Sequence, residues 1–600
     1  MSSPRRPVIY QVLPRLFGNT NPARKVHGTL AENGCGKFDD FNEAALAGIK
    51  AMGFSHLWLT GVLEQASGTA YPDRPADPPD ILKGIAGSPY AIRDYFDVCP
   101  DYAIDPDRRM QEFKELLARC RACGLMTIID FVPNHVARSY GSDVMPDQSF
   151  GNHDDTGSFF TRDNHFYYLR RDDPGGGPPL TLPTAGVPGC TGRFEPESEH
   201  GRVTGNNAVT WSPGTSDWYE TVKLNYGHDF TTGRDTTHLP GPDAAPEEVP
   251  RTWRTMDAIL GHWQAMGVDG FRADMAHMIP MEFWSWSIRR ARGRDPGVFF
   301  CAEAYDNDPA KLTEGNVFDA LLNAGFDAVY DDPVYDVLEG IYDSGRWAND
   351  IDALTFDGGR FHRSLRYAEN HDEVRLASPK EWGGLGMRVG RPVTAVLFGM
   401  GRGPLMLYSG QEVGEPAAGP EGFGGDDART TIFDYWSMPE FQKWVNGGRF
   451  DGGGLNGEQR ALRAWYGKLG RLMDEPAFSL GEFYGLNHAN KENPDFGRVD
   501  GETASGHWLY AYLRRDSASG QAFLIVANFS GRHDLDSVRI QIPHDALRWL
   551  ARGAGELLGF TERLMDDWAA VAESTSLPTA GLALGPLPAL SARLIEINPS

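Results

Sequence analysis

Cysteine is scarce. The six cysteines, at positions 35, 99, 120, 123, 190 and 301 of 600 residues, are too few and too scattered for a disulfide framework. Cys120 and Cys123 have CxxC spacing, but the run around them has helical periodicity and no second CxxC follows, so a zinc or redox centre is not expected there. Reduced, structural cysteines in a cytoplasm are. Long apolar runs are missing as well: no stretch approaches the ~20 residues of a membrane span. The charged start, MSSPRRPVIYQVLP, holds no apolar segment of the secretory-signal kind. Basic residues are in deficit, 57 against 82 acidic ones, for a formal charge of −25. A field of that sign argues against nucleic acid and anionic membranes as partners and leaves a neutral ligand unopposed. Internal repeats, low-complexity tails and long like-charge runs are also absent.

What is present is a chain long enough for two or three domains, with a hydrophobic share of 41% to fill them. Short β-rich runs alternate with helical patterns, the signature of a parallel sheet built from βα units. Eight strands are expected, at 7–14, 55–60, 126–132, 268–274, 298–303, 327–331, 365–370 and 404–410. Apolar residues at three- and four-residue spacing predict helices at 41–54, 110–125 and 251–268. This reads as a (β/α)8 TIM barrel. Well over a hundred residues separate the third and fourth strands, far more than a βα loop needs. They are rich in Gly, Pro, Asp and Asn, and residues 136–235 read as an irregular domain inserted on the catalytic face. Residues 240–250 read as its return linker. A helix at 457–473 precedes alternating strands at 507–515, 522–530, 537–543 and 592–597, which suggest a C-terminal antiparallel β-sandwich. The expected domains are therefore 1–135 with 236–475 (barrel), 136–235 (insertion) and 476–600 (sandwich).

Three acidic residues stand where apolar, strand-like runs give way to polar loops: Asp274 in GFRADMAHM, Glu303 in VFFCAEAYD and Asp372 in RYAENHDEVR. A parallel barrel gathers such strand ends on one face, where barrel enzymes keep their active sites. Three carboxylates converging there suit cleavage of a glycosidic bond, one attacking the sugar carbon, one protonating the departing oxygen and one holding the distorted ring. Arg272, two residues before Asp274, shares its strand face and is expected to keep that carboxylate ionised with a depressed pKa. Glu303 follows a strongly apolar run, and such surroundings raise a carboxyl pKa as a general acid requires. His371 and Asp372 are placed to bond sugar hydroxyls, as is His135 in DFVPNH. Asn134 offers a carbonyl oxygen of the kind Ca²⁺ prefers. The 15 Trp and 21 Tyr suit stacking on sugar faces, although core packing is the ordinary fate of such rings.

With these residues the chain resembles glycoside hydrolase family 13, the α-amylase family. DFVPNH, GFRADMAH, FFCAEA and ENHD are similar to its four conserved regions. GFSHLWLTGV (53–62), VKLNYG (222–227) and YSGQEVG (408–414) are similar to supporting ones, all in the family's order. The resemblance implies Asp274 as nucleophile, Glu303 as acid and base, and Asp372 as the group that binds sugar hydroxyls. Tyr90, Asp130, His135, Arg272 and His371 would complete the subsite, and Arg375 would border it. The mechanism implied is double displacement with retention. The substrate implied is an α-glucan or malto-oligosaccharide, with α-1,4 cleavage and no required cofactor, Ca²⁺ at Asn134 being optional. The sequence departs from the family where many amylases carry Lys-His after the nucleophile's strand: His277 and Met278 stand there. His277 either contacts an acceptor sugar or packs on its loop, and the first of these keeps transglycosylation open as the alternative to hydrolysis. A non-catalytic sugar-binding relative would have lost one of the carboxylates, and all three are present.

Overall fold

A computed structural model describes residues 6–184, 186–356, 358–423 and 425–599; the first five residues of the charged start lie outside it. The eight expected strands are present as β1 (Val8–Val12), β2 (His56–Leu59), β3 (Met126–Phe131), β4 (Gly270–Ala273), β5 (Phe299–Ala302), β6 (Ala328–Tyr330), β7 (Ser364–Leu365) and β8 (Leu405–Tyr408). They form one sheet in the order β7-β6-β5-β4-β3-β2-β1-β8. A parallel bridge between Arg366 and Leu405 joins its two ends into a barrel. Apart from Met126 and Phe299 at strand starts, every strand residue is buried, as a parallel sheet covered on both faces requires.

A helix follows each strand: α1 (Glu43–Ala51), α2 (Arg109–Ala122), α3 (Arg251–Met266), α4 (Met281–Arg294), α5 (Val317–Ala324), α6 (Asp332–Asp343), α7 (Gly390–Met400) and α8 (Gly457–Leu472). Local chemistry sets their ends. The Asn42 side chain accepts the Ala45 N–H to start α1. Asn456 and Gln459 form a reciprocal capping box at α8. Cys120 packs inward from α2 as an ordinary buried residue, and all six cysteines are free.

The stretch between β3 and α3 is largely irregular. Its regular pairing is an antiparallel ribbon, His135–Ala137 with Thr221–Lys223. It keeps a small core of its own, in which Tyr167, Leu180, Phe194 and Trp211 pack against Ile81 from the loop after β2. After α8 come eight strands where four were expected. β9 (Glu482–Gly485), β10 (Leu509–Arg515), β11 (Ala522–Asn528), β13 (Leu557–Glu562), β14 (Ala569–Glu573) and β16 (Ser591–Pro599) make a six-stranded sheet, while β12 (Leu535–Ile540) pairs with β15 (Leu582–Leu587). A second core, including Leu513, Leu524, Val538 and Leu584, fills the space between the two sheets.

Candidate active site

The C-terminal ends of the strands deliver Asp274, Glu303 and Asp372 to one cavity of 340 Å³, which Tyr90, His135, Met275 and Tyr305 also line. Beneath it lies a buried cation, Arg272. Arg272 donates from Nη1 to Asp274 Oδ1 at 2.8 Å and to Asp130 Oδ1 at 3.3 Å, and from Nε to the Tyr330 hydroxyl at 3.2 Å. Its Nη2 lies 2.8 Å from Glu303 Oε2, an ion pair not aligned as a hydrogen bond. The rings of Trp58, Tyr90 and Tyr330 surround the guanidinium at 5.3–5.7 Å. Arg272 thus fixes one oxygen of Asp274. The other, Oδ2, is buried and has no partner among the described residues. That is how a nucleophilic oxygen is presented: one atom held, one free.

Glu303 is held from three sides. Its Oε2 also accepts the Met275 N–H at 2.8 Å, and its Oε1 accepts the Tyr305 hydroxyl at 3.2 Å. Met275 takes a left-handed conformation, φ +46° and ψ +42°. A side-chain-bearing residue adopts it at a cost of about 1–3 kcal/mol, and here it turns the N–H toward the carboxylate.

Asp372 has a different partner. His371 Nε2 lies 2.9 Å from Asp372 Oδ2 and 2.5 Å from the Tyr90 hydroxyl. The Gln11 amide, donating at 2.8 Å to His371 Nδ1, leaves the ring proton on Nε2. The Tyr90 and His371 rings stack at 5.2 Å. Asp130 stays below the cavity, accepting the Gly61 N–H at 2.8 Å and the Trp58 indole at 3.3 Å. His135 packs on Trp218 at 5.2 Å and is pushed down to about 3 by burial and by Lys223, so it is neutral. Its Nδ1 faces the Asn134 amide at 3.1 Å, leaving Nε2–H as the donor.

These contacts correct the expected electrostatics. Asp274 was expected to be depressed by Arg272. Burial and the charge of Glu303 instead push it well above the usual carboxylate range, and Arg272 only partly offsets them. Asp130 is raised by burial too. The cause is stoichiometric: one guanidinium faces three buried carboxylates, so full ionisation leaves uncompensated charge in a low dielectric. Asp372 behaves oppositely. Burial alone would raise it, but His371 and Arg272 hold it below its ordinary value.

Two expected contacts are not made. His277 is 0% exposed, and its Nε2 pairs with Asp308 Oδ2 at 2.8 Å behind the cavity wall. It sits on a short 3-10 turn whose three residues are all buried, and it does not line the cavity. Arg375 is also buried, bound to Glu369 at 2.8 Å, to the Ser409 carbonyl at 3.0 Å and over the Tyr408 ring. It clamps the loop after β7 and does not border the cavity. Conversely, Gln11, Trp58, Tyr305 and Tyr330 escaped the sequence reading. Only Tyr305 carried a local signal, standing two residues after Glu303.

Asn134 does not fit a calcium site. Its Oδ1 accepts from Lys223 Nζ, and its Nδ2 donates to the Gly205 carbonyl at 2.8 Å. Ca²⁺ requires six to eight oxygens; here a buried amine takes the oxygen that a cation would need. Chelation with EDTA is therefore expected to leave thermal stability and turnover unchanged. A drop of several degrees in melting temperature, reversed by Ca²⁺, would show that this donor set had been misjudged.

Residues 11–295 match the family model "Alpha amylase, catalytic domain". The chain is 24% identical over 517 residues to an α-amylase of Streptomyces lividans, covering 80% of this chain and 50% of that protein. It thus spans about half that relative's length. It is 36% identical over 78 residues, 13% of this chain and 11% of that protein, to an α-1,4-glucan:maltose-1-phosphate maltosyltransferase of Myxococcus xanthus. Its fold is similar to that of a maltogenic α-amylase from Thermotoga neapolitana, with a TM-score of 0.57, 18% identity and 98% of both chains covered. The α-amylase of Lactobacillus plantarum gives a TM-score of 0.58, again with 18% identity and 98% of both chains covered. With the barrel and the motifs in order, residues 11–295 of this chain match the catalytic domain of the α-amylase family.

Proposed function

We propose that the protein is a retaining α-glycoside hydrolase that cleaves α-glucosidic bonds, α-1,4 above all, in malto-oligosaccharides or short α-glucans. The observation that carries the reading is Arg272 joining Asp274 and Glu303 at 2.8 Å each beside a cavity that Asp372 also lines. A shared guanidinium keeps the two carboxyls near each other, in keeping with the spacing of about 5–5.5 Å of a nucleophile and an acid/base on one sugar. Asp274 Oδ2 attacks the anomeric carbon while Glu303 protonates the departing oxygen. Glu303 then takes a proton from water as it attacks the glycosyl–Asp274 ester, which restores the α-anomer. Asp372, kept ionised by His371, accepts bonds from ring hydroxyls, and the neutral His135 donates one. The cytoplasm fits the sparse, free cysteines, and soluble oligosaccharides are the substrates found there. Among the described residues, no helix is long and apolar enough to cross a membrane.

Transfer to a sugar acceptor is the second reading, favoured by the local similarity to maltosyltransferases. One proton NMR time-course with maltotriose and maltohexaose tests both. Hydrolysis releases shorter sugars with the α-anomer appearing first, whereas transfer gives longer oligomers or a new linkage. Replacing Glu303 with Gln is expected to lower kcat on maltohexaose by about 10³-fold, within the ~10²–10⁴ range of general acid–base catalysis. A dinitrophenyl α-glucoside, whose leaving group needs no proton, should suffer less, and azide should accelerate it and yield α-glucosyl azide. Near-normal oligosaccharide turnover by E303Q would remove Glu303 from the role.

A further inference from the structure

The catalytic cavity has a second polar pair that its chemistry does not use. Lys83 and Glu220 both line it, with Lys83 Nζ 3.1 Å from Glu220 Oε1. Glu220 Oε2 is buried and has no partner among the described residues. A buried carboxylate oxygen left unsatisfied in a cavity wall costs free energy unless a ligand donor completes it. The two residues come from different segments, Lys83 from the loop after β2 and Glu220 from the insertion.

The short strip Leu82–Gly84 is gripped on both sides. The Tyr219 hydroxyl donates to the Leu82 carbonyl at 3.0 Å. On the other side, Gly84 packs so closely on the loop after β8 that a Cβ there would lie 2.2 Å from the Phe433 carbonyl oxygen. The Lys83 ammonium sits over the Tyr219 and Phe433 rings, 5.8 Å from each centroid. Insertion, β2 loop and β8 loop therefore meet at this strip, with Lys83 and Glu220 at their junction on the cavity wall. Ser88 and Tyr90 follow directly from the strip and line the same cavity. Tyr305 donates to the acid Glu303 at 3.2 Å and so marks the leaving-group side. At 340 Å³, the cavity is at the small end of the ~300–1,000 Å³ usual for small-molecule sites, room for a short glycone and not for a through-running strand.

We infer that the Lys83–Glu220 pair closes the glycone end of the cleft and binds hydroxyls of the non-reducing terminal sugar, so that the enzyme acts from that chain end. This rests on the hydrolase reading and adds the direction and length of the bound glycone. Lys83 donates to a terminal sugar oxygen, and Glu220 Oε2 accepts from a terminal hydroxyl.

The test compares nitrophenyl maltoheptaoside with the same compound carrying a 4,6-ethylidene block on its non-reducing sugar, both assayed by product analysis. The wild-type protein is expected to degrade the free compound from the non-reducing end and the blocked one at least about 100-fold more slowly. Replacing Lys83 with Met should lower kcat/KM on the free compound about tenfold, the loss of one hydrogen bond to a charged group, and should narrow the blocked-to-free gap. Comparable cleavage of both compounds by the wild type, or release from the reducing end alone, would overturn the inference and leave the hydrolase reading standing. No cleavage of either compound, nor of a dinitrophenyl α-glucoside, would overturn the hydrolase reading and the inference with it. The wild-type comparison decides the matter even if K83M fails to fold.

Discussion

Asp274→Asn should abolish turnover without harming the fold. The expected loss in kcat on maltohexaose is at least about 10⁴-fold, the scale of removing a nucleophile from a covalent mechanism. Geometry supports the size of the effect. Oδ2 of Asp274 has no partner among the described residues, while Oδ1 is fixed by Arg272. Asn retains the Arg272 contact through its carbonyl but presents a weak nucleophile. Stability should hold or rise slightly, because the substitution removes a charge that burial and Glu303 already disfavour. The measurement pairs steady-state kinetics with a thermal melt. Turnover within tenfold of wild type would exclude Asp274 as nucleophile. A large drop in melting temperature would show that its charge is needed for folding.

The largest combined effect is expected for Arg272→Met. Arg272 contacts Asp130, Asp274 and Glu303 and is completely buried. Removing one partner of a buried ion pair costs about 3–5 kcal/mol, and here three carboxylates lose their shared cation at once. Thermal stability at pH 7 should fall by many degrees, and turnover should fall at least about 10³-fold. The pH dependence identifies the cause. Asp130 and Asp274 already titrate above their ordinary range with Arg272 present, and without it they would titrate higher still. An acid whose folded-state pKa is raised binds more protons folded than unfolded, so its penalty shrinks as pH falls through that raised value. The stability deficit of R272M should therefore narrow as pH falls from neutrality toward the ordinary carboxylate range. Arg272→Lys, which restores charge without the planar fork, should recover stability more than turnover. A deficit that stayed constant with pH would point to lost packing against Trp58, Tyr90 and Tyr330 instead.

The barrel was legible because its strands carry their own signal. Runs such as Met126–Phe131 and Phe299–Ala302 are mostly apolar and mostly buried, the pattern of a strand covered on both faces. The C-terminal region was half legible. β10 and β11 are bulky and buried, whereas β14 (Ala569–Glu573) is built mainly of alanine and is largely exposed, so hydrophobic pattern could not mark it. At the site, position located the carboxylates because Asp274 and Glu303 directly follow strands and Asp372 stands on the loop after β7, but it could not supply their surroundings. Arg272 next to Asp274 suggested a depressed pKa, yet the outcome depended on Glu303 and Asp130, which are distant in sequence. His277 and Arg375 read as contact residues because they neighbour motif positions; their side chains point into packed structure behind the cavity. Gln11, which orients His371 across 360 positions, has no local mark at all.

The seam of the barrel has a consequence for heat and cold. β7 has two residues and meets β8 through a single bridge at Arg366, so few ladder hydrogen bonds resist opening there. The loop that follows β7 carries Asp372. Side-chain clamps hold this region where the ladder does not: Arg366 on Asp331 at 3.0 Å and Arg375 on Glu369 at 2.8 Å. Local opening in proteins starts where backbone pairing is sparse. Of the three carboxylates proposed to act on the sugar, Asp372 is thus the one whose placement is expected to yield first as the molecule warms, with the loop clamps setting the temperature at which it does so.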